Sequence, residues 1–406
     1  MLKKKKNTKN NLRIPYALAV FGDEERSAVA EVLKTPMIVP GAKVKEFENK
    51  IAKMFDKKYG IMLNSGSSAN LLALELLDLP KGSEVITPVL TFSTTLAPIL
   101  QKDLVPVFAD VVLGAYTIDI DQVENLITKK TKALMIPSLI GNIPDYGKLF
   151  RMAKKHKLRL IEDSCDTLGA TLYGRPTGNF SDISTTSFYA SHIITAAGSG
   201  GMICVNNSLW YARAKMLAGW GRASAINESE DAAKRFAEKV DGIPYDGKFI
   251  FKDIGYNFQT TELAAAFGLE QLKKFNNFFS VRKRNFKTLY DFFKNYEHLF
   301  VLPKQNPDAQ TAWLAFPLTL RDSAPFKRQE LVSFLESYNI QTRPIFTGNV
   351  LRQPAFRNIQ CRKIKQGYPN ADLVMRGSVL IGCHNGLEEK HMEYLKNTFE
   401  DFLANY

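Results

Sequence analysis

Cysteine is scarce and widely spaced in this chain. The 406 residues carry four, Cys165, Cys204, Cys361 and Cys383, with no CxxC pair. A disulfide framework is not expected in a chain of this length, nor a metal site built from these thiols alone. Long apolar runs are lacking too, and none approaches the roughly 20 residues that cross a bilayer. The lysine-rich start, MLKKKKNTKNNLRIP, has positive charge but no apolar segment behind it, so it does not read as a secretory signal. The expectation is a cytoplasmic protein that does not engage a membrane. Zinc-ligand sets, aromatic RNA-binding signatures and a helix-turn-helix pattern are also missing. The net charge of +13 therefore reads as long-range attraction for a small phosphorylated or nucleotide-bearing ligand, not for nucleic acid. One last absence is local: no lysine lies between Ser187 and Val205.

What is present is a regular alternation. Apolar spacing predicts helices over Glu24–Lys34 and Val44–Phe55. A strand over Tyr59–Leu63 then runs through the small-residue turn NSGSSA into a helix at Asn70–Leu77. Strands follow at Glu84–Thr87, Val105–Ala109, Lys132–Ile136, Arg159–Asp163, Thr185–Tyr189 and Met202–Val205, with helices expected after Phe92, at Ile120–Lys129 and at Tyr146–His156. Such alternation predicts an α/β domain with a mostly parallel sheet covered by helices on both faces. A long helical pattern from Thr260 to about Asn295 leads into a smaller α+β part. That part has strands near Ala312–Leu320, Gln341–Ile345 and Ser378–Ile381, and helices near Lys327–Tyr338 and Leu387–Leu403. The expected organisation is a basic flexible arm over 1–13, a large domain over 14–275 and a small domain over 276–406.

Ligands on such sheets sit beyond the carboxyl ends of the strands. Ser65–Ser68, Asp163 and Ser187–His192 all fall there. Free N–H groups at a helix start after a glycine-bearing turn suit an anion. A histidine between small residues is an ordinary packed residue until a carboxylate and an anion site are found beside it.

Five segments in order resemble the fold-type-I PLP enzymes with the aspartate-aminotransferase-like fold: NSGSSANLL (64–72), IEDSCDTLGA (161–170), SFYASHIITAAGSGG (187–201), GYN (255–257) and TRPIFTGN (342–349). Within that group the chain is similar to the nucleotide-sugar aminotransferase family often called DegT/DnrJ, over nearly its whole length. The resemblance implies phosphate binding by Gly66, Ser67 and Ser187. It implies that Phe92 packs on the cofactor ring and that Asp163 pairs with the pyridine nitrogen, keeping it protonated as an electron sink. It implies a homodimer with shared active sites, in which Asn257 reaches the phosphate of the other subunit.

His192 is the departure. That position in the family's aminotransferases is the lysine that holds PLP covalently. A histidine cannot hold it so, but can act as a base near neutral pH. The substitution resembles the family's sugar 3-dehydratases, which act on CDP-4-keto-6-deoxyglucose or GDP-4-keto-6-deoxymannose. It implies non-covalent PLP or PMP and removal of the C3 hydroxyl from a nucleotide-diphosphate-linked 4-keto-6-deoxyhexose. Asp166 and Tyr189 match positions where dehydratases and aminotransferases differ. The CDP-sugar type carries an iron–sulfur cluster on four cysteines. Here Cys165 stands at the first of those positions, and no cysteine occurs between Cys204 and Cys361. One thiolate cannot hold the cluster, so none is expected. Regeneration of PMP with glutamate as amino donor fits better.

Two further segments complete the reading. A serine, Ser199, stands where relatives usually have a glutamate in the loop after the histidine. In the small domain, Arg343, Asn349, Arg352 and Gln353 fall where relatives bind substrate, and an arginine there suits a diphosphate. Two other readings stay open at this point: a different PMP-dependent transformation of a nucleotide sugar, and a non-catalytic sugar-binding relative.

Overall fold

Seven strands form one twisted sheet at the centre of the N-terminal two thirds of the chain. A computed structural model describes residues 12–225 and 231–406. The basic arm expected over 1–13 lies, up to residue 11, outside the described residues. In chain order the sheet strands are β1 (Tyr59–Leu63), β2 (Glu84–Pro88), β3 (Val105–Ala109), β4 (Thr131–Pro137), β5 (Arg159–Ser164), β6 (Ile183–Ser187) and β7 (Gly201–Val205). Their spatial order is β1-β7-β6-β5-β4-β2-β3. Only β7 runs against its neighbours; the pairs β2/β3, β2/β4, β4/β5 and β5/β6 are parallel. Residues such as Ile86, Leu134, Ile161 and Ile203 are fully buried. That follows from helices covering both faces, which makes strands uniformly apolar instead of alternating.

The helices meet the sequence expectation closely. They are α1 (Asp23–Leu33), α2 (Ala42–Met54), α3 (Gly66–Leu77), α4 (Ser93–Gln101), α5 (Ile120–Leu126), α6 (Tyr146–Lys155) and α7 (Ser208–Ala218). Helix α3 begins four residues before the expected Asn70. The Ser65 hydroxyl accepts the Ser68 N–H at 3.1 Å, a cap that stabilises a helix by about 1 kcal/mol. The single helical pattern over 260–295 is two helices, α8 (Glu262–Lys273) and α9 (Phe275–Phe293). Lys274 interrupts them: its N–H turns back to Gln271 O at 3.0 Å, and its ammonium is held by Glu24 and Glu25 at 3.1 and 2.7 Å.

The C-terminal part packs α10 (Arg328–Ser337), α11 (Pro369–Gly377) and α12 (Glu389–Leu403) on a small antiparallel sheet. Its strands are β8 (Phe300–Val301), β9 (Phe316–Leu320) and β10 (Ser378–Ile381). The strand expected at Gln341–Ile345 is not a strand. It is extended chain that touches β10 through one bridge, Arg343 to Leu380, because Pro344 has no N–H to continue a ladder. The chain's start joins this part: Ile14 bridges Ile340, and its N–H and C=O bond Asn339 O and Gln341 N at 3.0 and 2.8 Å. Residues 13–18 therefore lie between the large sheet's carboxyl edge and the C-terminal part.

Candidate functional site

The carboxyl ends of β1, β4, β5 and β6 open into one cavity of about 360 Å³. Its wall brings together Gly66, Ser67, Phe92, Asp163, Asp166, Ser187, Tyr189 and His192, eight residues that come from four separated stretches of sequence. The parallel arrangement explains this. Each strand delivers its last side chain or first loop residue to the same edge.

The anion end is built from backbone. A Cβ on Gly66 would lie 2.6 Å from Ser187 Cβ and 2.7 Å from Cys165 Sγ. Only glycine fits, and the first N–H groups of α3 stay open to the cavity. Ser67 donates to Thr94 Oγ1 at 3.1 Å, and the Ser187 hydroxyl accepts the Tyr189 N–H at 3.3 Å. A hydroxyl-rich helix start of this kind fits a phosphate dianion.

Asp163 is held from several sides. One carboxylate oxygen accepts Asn70 Nδ2 and Thr95 Oγ1, both at 2.8 Å, and the other accepts the Cys165 N–H at 3.2 Å. Thr185 in turn donates to Asn70 Oδ1 at 2.6 Å, fixing the amide's orientation. Asp163 makes no ion pair among the described residues, so a buried, oriented carboxylate faces the cavity without a cation. A protonated ring nitrogen satisfies that arrangement. Phe92, half-exposed at 49%, stands at the mouth edge-on to Phe346, 5.7 Å away. The donor set, the phosphate cradle and the ring face together fit PLP or PMP.

His192 lies in the loop after β6. Its Nε2 is 4.0 Å from an Asp166 oxygen, and its ring is edge-on to Tyr189 at 5.9 Å. Its Nδ1 is buried without a hydrogen-bond partner. Burial, with the nearby Arg282 charge adding to it, holds the imidazole down to about 4 against the raising effect of the Ser187 backbone, so it is neutral at ordinary pH. Asp166 is shifted the other way. Burial, with the Asp163 charge adding to it, raises its carboxyl to about 7 against the lowering effect of the Ile140 N–H. That N–H donates to Asp166 at 2.8 Å from a residue at φ +58°. A β-branched residue in the left-handed region is strained, and the strain is stored where it aims a donor at a site carboxylate.

The loop behind His192 turns through Ala197, Gly198 and Gly200, at φ +56°, +94° and +141°. Ser199, at the glutamate's usual place, donates to Asn64 O at 2.6 Å, tying the loop to the phosphate turn. From beneath, Arg282 of α9 donates to His192 O at 3.2 Å, to Leu314 O at 3.0 Å and to Asn385 Oδ1 at 3.1 Å.

Some expected residues lie elsewhere. Asn349 is buried and donates to Asp372 at 2.7 Å, while Arg352 makes a two-pronged pair with the same carboxylate at 2.6 and 2.5 Å. Neither lines the cavity, because α11 presents Asp372 to both. Gln353 donates to Thr347 O. Arg343 lies in an adjoining cavity. Asn257 is exposed, outside the cavity of its own chain, with its carbonyl 3.5 Å from Asn64 Nδ2. Cys165 lines the cavity, and burial with Asp163 beside it pushes its thiol well above the ordinary value. Among the described residues no group of three or more His, Cys, Asp or Glu is placed to hold a metal ion.

Sequence reasoning missed Tyr16, Asn70, Thr95 and Arg282. Asn70 stood inside a quoted motif and was readable there. The other three carry no local signal, since their roles arise from contacts with distant segments.

Comparisons with known proteins agree with this geometry. The dTDP-4-dehydro-2,6-dideoxy-D-glucose 3-dehydratase of Saccharopolyspora spinosa is 38% identical over 95% of this chain and 86% of its own length. The GDP-4-keto-6-deoxy-D-mannose 3-dehydratase of Escherichia coli O55:H7 is 31% identical over 96% of this chain and 100% of its own. A solved E. coli GDP-4-keto-6-deoxy-D-mannose-3-dehydratase with hydrated PLP bound superposes with a TM-score of 0.86. It is 28% identical, covering 95% of this chain and 100% of that one. The architecture is the PLP fold type I. Residues 20–400 match one family throughout, and the chain belongs to the DegT/DnrJ/EryC1/StrS aminotransferase family.

Proposed function

We propose that this chain is a PLP/PMP-dependent 3-dehydratase. It removes the C3 hydroxyl from a nucleotide-diphosphate-linked 4-keto-6-deoxyhexose. The observation that carries the reading is a neutral, part-buried His192 facing an oriented Asp163 across a cavity with no lysine in the 187–205 loop. PMP would supply the amine for the sugar's C4 ketone and an electron sink for the reaction, and glutamate as amino donor would restore the amine form after each turnover.

The chain's own residues then divide the work. Gly66, Ser67 and Ser187 would hold the phosphate, Asp163 would keep the ring nitrogen protonated, and Phe92 would pack on the ring. With the cofactor bound, the neutral His192 would serve as the base that takes a proton in the cavity. Asp166, which keeps its proton up to about pH 7, gives a proton to the departing C3 hydroxyl, which leaves as water. Tyr189 bounds the sugar side. The relatives named 3-dehydratases support this assignment.

Shared sites in a homodimer belong to the same proposal. Asn257 lies within a surface stretch where Trp220, Phe249, Phe251 and Ile254 expose 40%, 57%, 58% and 92% of their surface, an apolar face of the kind subunits cover. The test is incubation of purified protein with PMP and candidate 4-keto nucleotide sugars, followed by mass spectrometry. The expected product lacks the C3 oxygen. PMP binding without oxygen loss from any candidate sinks the reading.

A further inference from the structure

Phe92 is half-exposed at the cavity mouth, and a side chain so placed turns among its rotamers unless something holds it. The one ring contact it makes among the described residues is with Phe346, at 5.7 Å between centroids and 80° between planes. Both rings line the cavity. Phe346 is the better anchored of the two, since its other side packs against the main core.

The backbone of Phe346 stands at φ +42°, where a bulky side chain is an outlier. The turn around it imposes that conformation. The Phe346 N–H bonds Pro344 O and the Gly348 N–H bonds Ile345 O, both at 2.9 Å. Gly348, at φ +60°, lies so close on α11 that a Cβ would meet Met375 Cγ at 2.5 Å. Strain of this kind persists only where the surroundings over-determine it.

Here they do so from two sides. Towards the large domain, Thr347 Oγ1 donates to Thr91 O at 2.5 Å, the Val350 N–H donates to Val89 O at 3.0 Å, and Asn349 bridges Leu90. The turn is thereby tied to the residues just before Phe92. Behind it, Asp372 of α11 accepts Asn349 and Arg352. Asp110, just after β3, accepts the Asn370 and Ala371 N–H groups at 3.0 Å each, which fixes the start of α11 to the large domain. Asn349 and Arg352, which do not line the cavity, thus buttress the turn that carries Phe346.

No lysine lines the cavity among the described residues, so retention of PLP or PMP there rests on non-covalent contacts. We infer that Phe346 is a positioning residue for the cofactor: its ring holds the Phe92 ring in place at the mouth and slows the cofactor's escape. The inference rests on the proposed packing of Phe92 on the cofactor ring and needs nothing of the chemistry at His192. An edge-to-face pair is favourable in its own right, and a side chain ordered beforehand loses less entropy when the ligand arrives.

The test is exchange of bound PLP for excess PMP, followed by the absorbance of bound PLP. At saturating PMP the rate is that of PLP release. Phe346→Leu should release PLP about three- to tenfold faster than wild type, the usual worth of an aromatic pair, and Phe346→Tyr should keep the wild-type rate. Phe92→Leu should also release PLP faster, and adding Phe346→Leu to it should change nothing more. Thr347→Val, which unties the turn and leaves both rings intact, should speed release in the wild-type background and not in Phe92→Leu. A merely structural role for Phe346 would lower the thermal midpoint of cofactor-free protein without moving the release rate. A wild-type release rate in Phe346→Leu therefore overturns the inference, as does a full further acceleration when Phe346→Leu is added to Phe92→Leu. Faster release from Phe92→Leu alone keeps Phe92 on the cofactor and removes Phe346, whereas wild-type release from Phe92→Leu removes both. Coupled release rates in a protein that deoxygenates no sugar keep this inference and remove the dehydratase.

Discussion

Nε2 of His192 stands 4.0 Å from a carboxylate oxygen of Asp166, and the two groups are displaced in opposite directions, to about 4 and about 7. Burial is the main cause of both: it disfavours the charged form of each group, and the charged forms lie on opposite sides of neutrality. Between those values the histidine is a free base and the aspartate a proton donor. The turnover rate should therefore be bell-shaped, rising through about pH 4 and falling through about pH 7. Asp166→Asn should flatten the alkaline limb and lower kcat by about 10²–10⁴-fold, the usual worth of a positioned acid. An alkaline limb that survives in this variant would show that another group titrates there.

The same shift predicts a stability signature in cofactor-free protein. Asp166 is raised above its unfolded value, so its contribution is intact below about pH 4 and is lost as pH rises toward about 7. Asp166→Asn should thus be more stable than wild type at pH 8, by up to about 4 kcal/mol at 1.36 kcal/mol per pKa unit, and show no such gain at pH 4. His192 runs the other way. Its folded value is depressed, so the stability it contributes is intact above about pH 6.5 and is lost as pH falls toward about 4. Urea midpoints across pH 4–8 measure both.

His192→Lys places a primary amine where the base stood. The variant should attach PLP covalently, with a new visible absorbance band that borohydride reduction bleaches while making the attachment permanent, and should lose deoxygenation. His192→Asn should bind PLP with the wild-type ring spectrum and lose about 10²–10⁴-fold in kcat. A lysine variant without the band would mean that position 192 does not reach the cofactor.

At Gly66 a methyl group has nowhere to go, with Ser187 Cβ at 2.6 Å and Cys165 Sγ at 2.7 Å. Gly66→Ala should weaken PLP binding at least tenfold and lower stability by about 1–3 kcal/mol, the usual cost of overpacking. Absorbance titration and a melting curve read the two effects separately.

Arg282 is fully buried and ties the His192 carbonyl to Leu314 and Asn385. Arg282→Met leaves those acceptors without a charged donor, and a loss of about 1.5–3 kcal/mol is expected for the strongest of them. The imidazole of His192, freed from a neighbouring positive charge, should titrate higher than in wild type by NMR, and Arg282→Lys should largely restore the wild-type value. A purely structural role would lower stability without moving that titration.

The strand–turn–helix at Leu63–Gly66 was legible because its causes are local: an apolar strand, a serine cap and a glycine one residue later. Asp163 and His192 were legible through the motifs around them. Tyr16 and Arg282 were not, since their neighbours lie far along the chain, as His192 and Leu314 do for Arg282. Asn349 and Arg352 read as substrate residues because nothing local marks Asp372, 20 residues beyond Arg352, as their partner.

By itself the sequence determined the alternation of strands and helices, the phosphate turn, the aspartate, and the histidine where family members carry lysine, because each depends on residue type and short-range order. The tertiary structure decided the rest. Burial, with the charges of Arg282 and Asp163 beside it, set the opposite proton affinities of His192 and Asp166, which composition cannot supply. The docking of Thr347 onto Thr91, 256 residues away, set Phe346 against Phe92, a juxtaposition that only long-range packing creates.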